Sequence, residues 1–326
     1  MPEALLAIDD LQVEFRTDEG VVKAVDGVSY RLEKGEVLAV LGESGSGKTV
    51  HARAILRILD SPPAHITGGT ARLRDLDLLT LDEADMREVR GARIAMLFQD
   101  PHTALDPVYT VGEQLIELLR ERQKMSKREA RDVSVALLER VGIATPRERL
   151  KAYPHELSGG IAQRVMVAMA VALEPEVLLA DEPTSSLDVT VQAQVLELLG
   201  TLVAETEMAM VLITHNLAVA VGLANRIAVM YAGRIVELGP ARDVYATPKH
   251  PYTSGLLRAI PDITIREDRL PGIKGAPPNL LRLPTGCAFH PRCPLADDRC
   301  KAEVPPFEEV APGRWSACFH ADKVTR

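Results

Sequence analysis

The chain has 326 residues, 38 of them basic and 46 acidic, for a formal charge of −8 and a pI near 5.6. That balance argues against an extended nucleic-acid or anionic-lipid surface, both of which need a basic face, so no nucleic-acid partner is expected. Apolar residues make up 46%, enough for a substantial core, and the length allows one large α/β domain with an appendage or two domains. The N-terminus lacks a basic stretch followed by a long apolar core, and no apolar run approaches the ~18–20 residues of a membrane helix. The expectation is a soluble, cytoplasmic chain that reaches a membrane only through partners.

Leu11, Val13 and Phe15 alternate with Gln12, Glu14 and Arg16, which predicts a half-buried strand, and Val21 to Leu32 continues as strand up to the turn Glu33-Lys34-Gly35. The apolar run Val37 to Leu41 then leads into Gly42-Glu43-Ser44-Gly45-Ser46-Gly47-Lys48-Thr49, followed by a helix-like segment from His51 to Leu59. Strand, glycine-rich loop and helix in this order match the phosphate-loop pattern G-x-x-x-x-G-K-[ST] at every fixed position. Glycines let the backbone curl so that successive N–H groups point at one anion, and the positive end of the helix faces the same anion. Lys48 can place a point charge between β- and γ-phosphates, and the Thr49 hydroxyl can ligate Mg²⁺. The chain is therefore expected to bind ATP or GTP.

Ser61-Pro62-Pro63 breaks the chain, Gly68 to Leu79 predicts a short hairpin, and Ile94 to Phe98 is a strand-length apolar run ending at Gln99. From Val111 to about Val141 the pattern is helical. A second helical run after Ser158, lasting to Leu173, is apolar nearly all round and should be buried. Val177 to Ala180, Ala209 to Ile213 and Ile227 to Met230 predict strands separated by helices, the pattern of a parallel sheet. Beyond about Ala246 prolines crowd in, marking a boundary before a loop-rich extension that holds all four cysteines.

Two further patterns carry chemistry. Asp181 and Glu182 end an apolar strand, where the first carboxylate can hold Mg²⁺ and the second can polarise a water for in-line attack on a γ-phosphate. Ser158-Gly159-Gly160 opens a helix with exposed N–H groups, a second anion site in the same chain, which points to a nucleotide lying between two subunits.

In these motifs the sequence resembles the ATP-binding subunits of ABC transporters, over about residues 5–245. Leu157-Ser158-Gly159-Gly160 matches the signature that grips the partner subunit's γ-phosphate, with Ile161 in place of the usual Gln. The resemblance assigns Gln99 to the loop that touches Mg²⁺ or the attacking water. It assigns Ser186-Leu187-Asp188 to the loop crossing the dimer interface, and His215 to the switch histidine at the γ-phosphate. Phe15 sits where the family often stacks an aromatic on adenine, although its alternation equally fits an ordinary core residue. The implied fold is α/β, a P-loop NTPase of ABC ATPase type. It combines a RecA-like parallel sheet core, an antiparallel β subdomain and an α-helical subdomain near 100–172, all within a nucleotide-binding domain of residues 1–245.

The tail at 246–326, with Lys249-His250-Pro251-Tyr252-Thr253, prolines and cysteines, resembles the oligopeptide/dipeptide permease ATPases, whose relatives also serve nickel. The resemblance implies ATP hydrolysis with Mg²⁺ held by Thr49, Gln99 and Asp181. It implies a second ATPase subunit, related or identical, two transmembrane permease subunits and, indirectly, an extracytoplasmic binding protein. The chain would then sit at the cytoplasmic face of the membrane. The rival reading, a soluble ABC ATPase acting on DNA or ribosomes, finds neither long coiled coils nor a second cassette in this sequence. Cys287, Cys293, Cys300 and Cys318 are spaced C-x₅-C, C-x₆-C and C-x₁₇-C, wider than the usual zinc hooks. A [4Fe–4S] cluster, as members with such a tail carry, zinc, and unligated thiols all remain open, with His290 and His320 read as surface residues.

Overall fold

The structure, a computed structural model, describes residues 4–185, 187–259 and 272–326. The chain divides into two units, one made of Met1–Glu33, Val37–Thr80 and Leu212–Arg326 and the other of Lys34–Glu36 and Leu81–Val211.

In the first unit, strand Leu6–Thr17 lies between Gly20–Leu32 and Ala64–Leu73 in an antiparallel sheet completed by the short strand Leu76–Asp77. Leu6, Ile8, Leu11 and Val13 are all buried, although Ile8 and Leu11 are three residues apart. A bulge between them resets the alternation, with Asp10 at φ 50° taking up the extra residue, so both halves of the strand present apolar side chains to one face. A further register shift falls between Val13 and Glu14, and Phe15 beyond it is only half-buried. The alternation read from Leu11 to Phe15 thus stops one residue pair early.

The same unit holds the strand Val37–Leu41, buried along its whole length and paired in parallel with Arg226–Tyr231. Burial on both faces explains its unbroken apolar composition. Arg234–Pro240 then adds antiparallel to Arg226–Tyr231, and the tail strand Arg314–Ser316 adds to Arg234–Pro240, with Glu308–Ala311 outermost. The tail therefore extends a core sheet. It also sends Tyr252, Leu257 and Phe289 into a cluster with Leu41, Val229, Tyr231 and Val244.

The second unit pairs Ile94–Leu97 in parallel with Val177–Asp181. Helices Val111–Gln123 and Lys127–Arg140 replace the single helical run read from periodicity. Lys124 leaves the first in the left-handed conformation, and each helix starts with a capping box, Thr110 with Glu113 and Ser126 with Glu129. Gly159–Val171 buries Ala162, Val165, Met166, Val167, Ala168 and Val171, in keeping with its all-round apolar sequence. Among the described residues no helix is long and apolar enough to cross a membrane.

Candidate functional site

In the first unit the phosphate loop leaves the buried strand Val37–Leu41 and enters helix Lys48–Ile55. Its curl is set from behind. A Cβ on Gly42 would lie 2.3 Å from the Met230 carbonyl oxygen, and one on Gly47 would lie 2.3 Å from that of Ala24. Gly45 faces open space instead and is needed for its φ of 79°. Ser44 and Gly45 are exposed at the rim of the loop, Thr49 is half-buried, and Lys48 is buried, with its Nζ donating to the carbonyls of Gly42 (2.8 Å) and Glu43 (3.0 Å). The buried Ser46 hydroxyl has no hydrogen-bond partner among the described residues. A loop with an orphaned donor, a folded-back ammonium and a helix start is suited to a polyphosphate.

The helix after the loop is anchored by His51, which is fully buried. Its Nδ1 lies 3.0 Å from the Lys48 carbonyl, which can only accept, so Nδ1 carries the proton and Nε2 accepts from the Tyr30 hydroxyl at 2.7 Å. Burial lowers the His51 pKa to about 4, with the backbone hydrogen bond to Lys48 opposing it. His215 is exposed just past Ala209–Ile213, and the Thr214 N–H beside it donates to Val40 of the phosphate-loop strand at 3.2 Å. Phe15 lies half-buried in the antiparallel sheet, opposite Val22 and Ala64.

Two side chains from the tail hold the loop, and sequence reasoning assigned neither. Tyr252, fully buried, accepts from the Glu43 backbone N–H at 2.7 Å. Arg292, its side chain 5% exposed, donates to both carboxylate oxygens of Glu43 at 2.6 and 2.9 Å, and its centre lies 5.9 Å from the rings of Tyr231 and Phe289. His250 caps the helix Pro251–Arg258 by accepting from the Tyr252 N–H, so the His-Pro-Tyr turn serves to aim Tyr252. In the sequence His250-Pro251-Tyr252 alone reads as a turn, which carries no sign of what Tyr252 touches.

In the second unit Asp181 is buried at the end of Val177–Asp181, and Glu182 follows it in the left-handed region at φ 46°. That conformation is unusual for a glutamate and turns its side chain out of the strand's alternation. Exposed Gln99 donates from Nε2 to the Glu182 carboxylate at 3.4 Å, bringing two of the predicted residues together. Ser158 and Gly159 are exposed at the start of the thirteen-residue helix Gly159–Val171, and the Ser158 side chain makes no cap bond. Gly160 is required by packing, because a Cβ there would lie 2.8 Å from Val191 Cγ1. Asp188 caps Val189–Thr206 by accepting from Thr190 and Val191 N–H groups; Ser186 of the same predicted loop lies outside the described residues.

The four cysteines, all free thiols, line one small cavity in the first unit. Burial raises the Cys293 thiol to about 11 and the Cys318 thiol to about 12, with the neighbouring thiols adding to the rise. Backbone N–H groups of Leu295 and His320 donate to the sulfurs of Cys293 and Cys318, each at 3.4 Å. His320 is not the surface residue expected: its side chain is 16% exposed and its Nε2 lies 3.0 Å from Asp297, with Cys300 close by.

Known proteins share these features. A family profile described as "ABC transporter" matches residues 25–185, and one described as "Oligopeptide/dipeptide transporter, C-terminal region" matches residues 236–300. The chain is 48% identical over 317 residues to the oligopeptide transport ATP-binding protein OppD of Escherichia coli (strain K12), covering 97% of this chain and 93% of that one. This chain belongs to the oligopeptide/dipeptide permease family of ABC transporter ATP-binding proteins.

The dipeptide transport ATP-binding protein DppD of Bacillus subtilis (strain 168) is also 48% identical, over 292 residues, covering 90% of this chain and 87% of that one. Among solved structures, the ATP-binding cassette MJ0796, a dimer in a post-hydrolysis state bound to ADP and Pi, superposes with a TM-score of 0.65. It is 26% identical and covers 73% of this chain and 99% of that one. The fold of this permease-family chain is that of the ABC ATPases, with a RecA-like α/β core and a helical subdomain.

Proposed function

We propose that this ABC ATPase powers import of di- or oligopeptides, as a peripheral subunit on the cytoplasmic face of two transmembrane permease subunits. An extracytoplasmic binding protein delivers the peptide. The observation that carries this reading is the pairing, in one chain, of the ATPase match at 25–185 with the oligopeptide/dipeptide tail match at 236–300.

In this reading the Gly42–Thr49 loop cradles the phosphates of ATP, Lys48 sits at the β- and γ-phosphates, and His215 contacts the γ-phosphate. Phe15 stacks on the adenine. The Ser158-Gly159-Gly160 helix start of a second ATPase subunit, identical or related, completes the site across the dimer, with Asp188 at the interface. Thr49, Gln99 and Asp181 offer hard oxygen donors suited to Mg²⁺, which when bound neutralises charge on the phosphates. Glu182 holds the attacking water and takes its proton, and the Gln99 amide at 3.4 Å orients the Glu182 carboxylate. Charge-assisted hydrogen bonds to a γ-phosphate contribute roughly 1.5–3 kcal/mol each. Reversing an open–closed equilibrium from 1:99 to 99:1 needs about 5.5 kcal/mol, so a few such bonds suffice to close the dimer and hydrolysis removes them.

The decisive variant is Glu182→Gln, which keeps the backbone and the side-chain shape. Assembled with its permease partners, it is expected to bind ATP normally while hydrolysis and peptide uptake fall at least about 100-fold. Wild-type turnover would remove Glu182 from its role, and uptake of a metal ion instead of peptides would overturn the substrate.

The tail cavity has a separate expectation. Four thiols around one cavity with N–H donors to sulfur fit a soft metal group, and we assign it a [4Fe–4S] cluster held by Cys287, Cys293, Cys300 and Cys318. The cluster, when bound, cross-links a segment with little core of its own. Protein purified without air should absorb at roughly 400 nm, and Cys293→Ala should bleach it. Stoichiometric zinc in a colourless protein would replace the assignment.

A further inference from the structure

We infer that Arg292 and Tyr252 are positioning residues for the phosphate loop, through which the tail sets the affinity for ATP. This rests on the reading of Gly42–Thr49 as the ATP cradle. Glu43 is the second residue of that loop, and the tail holds it at both ends. Its backbone N–H donates to the Tyr252 hydroxyl at 2.7 Å, and its carboxylate is gripped by the Arg292 guanidinium at 2.6 and 2.9 Å. The Glu43 carbonyl in turn accepts from Lys48 at 3.0 Å, so the peptide units on either side of one residue link the tail to the cradle's lysine.

Neither tail group is free to wander. Tyr252 is fully buried, with ring centroids 4.6 Å from Tyr231 and 5.4 Å from Phe289. Arg292 spends its remaining donors on the carbonyls of Lys274 (3.0 Å) and Gly275 (3.3 Å) and on the Tyr231 hydroxyl (3.4 Å). A planar, bidentate guanidinium fixes both the distance and the plane of its carboxylate partner, which a lysine ammonium does not. An anion-binding loop works by pre-set N–H directions, and each direction left loose must be ordered when the nucleotide arrives. Arg292 is the ion-pair partner of Glu43 among the described residues. Arg292 also directly precedes Cys293, so the state of the four-thiol cavity lies one residue from the clamp.

The test measures binding of a fluorescent ATP analogue and the KM and kcat of ATP hydrolysis for the full-length chain assembled with its partners. Tyr252→Phe removes one hydroxyl and keeps the ring. It should raise Kd and KM by about three- to tenfold with kcat nearly unchanged and the melting temperature close to wild type. Arg292→Gln should raise both by about tenfold or more, Arg292→Lys should recover part of the loss, and Arg292→Gln with Glu43→Gln should lose no more than the worse single variant. Unchanged KM and Kd in both Tyr252→Phe and Arg292→Gln would overturn the inference, as would a loss confined to kcat. Lys48→Ala separates the two layers: if it abolishes nucleotide binding, the cradle stands whatever the tail variants do, whereas normal binding by Lys48→Ala removes the cradle itself.

Discussion

Gly42 and Gly47 are glycines because carbonyl oxygens press on the loop from behind, and Gly45 is a glycine because of its backbone angle. The two causes make different predictions. Gly47→Ala combines a φ of 103° with a Cβ 2.3 Å from the Ala24 carbonyl, so the loop must move. Nucleotide binding should be lost and chemical denaturation should show a loss of at least about 2 kcal/mol. Gly45→Ala meets nothing within 4 Å and should cost only about 1 kcal/mol, the ordinary expense of a left-handed alanine. Equal effects in the two variants would contradict this division. The pattern of glycines was legible in the sequence; which carbonyl lies behind each one was not, because Met230 and Ala24 come from distant strands. The left-handed Glu182 was likewise invisible, since nothing in Asp-Glu-Pro marks a positive φ.

Elements were legible where apolar periodicity is uninterrupted, as in Val37–Leu41 and Gly159–Val171. They were misjudged where one residue resets the count. The bulge at Asp10 shifts the phase of the first strand, and the later register shift between Val13 and Glu14 strands Phe15 at its margin. The break at Lys124 divides a helical run whose periodicity alone looks continuous, although the spacing of Ser126 and Glu129 announces the second helix. The helix after the phosphate loop carries a pH-dependence. With the His51 pKa lowered to about 4 in the fold and an ordinary value of 6.5 when unfolded, the unfolded chain binds more protons between those values. Its contribution is whole above pH 6.5 and falls away toward pH 4, by an amount on the order of 3 kcal/mol. Denaturation midpoints measured across this range should drop more steeply for wild type than for His51→Gln, and parallel curves would refute the assignment.

For the chain as a whole, the sequence showed two family signatures and a compositional boundary near Ala246, but not how the second part joins the first. Proline content made the tail look loop-rich, whereas the residues that attach it are single side chains, Tyr252, Phe289 and Arg292, and a hairpin ending at Arg314–Ser316. Glu237, buried, accepts from the N–H groups of Lys249 and His250 at 2.7 and 2.9 Å and from Arg314 at 3.3 Å. A chain ending at Thr247 loses all three donors and uncovers the edge of Arg234–Pro240. An open strand edge invites pairing between molecules. Such a truncated protein should elute as aggregate in size-exclusion chromatography; a well-folded monomer would show that the tail is dispensable.

The outermost strand, Glu308–Ala311, carries two exposed glutamates on successive positions, and the carboxylate of the second, Glu309, accepts from the Gly313 N–H of the hairpin turn at 2.7 Å. Like charges there repel a second copy arriving edge-on, so the hairpin finishes the sheet as well as widening it. Inheritance follows from this. A tail transplanted from a relative must bring a hairpin that fits Arg234–Pro240 and an arginine that meets Glu43, so a graft lacking either leaves the sheet edge open or the loop unclamped.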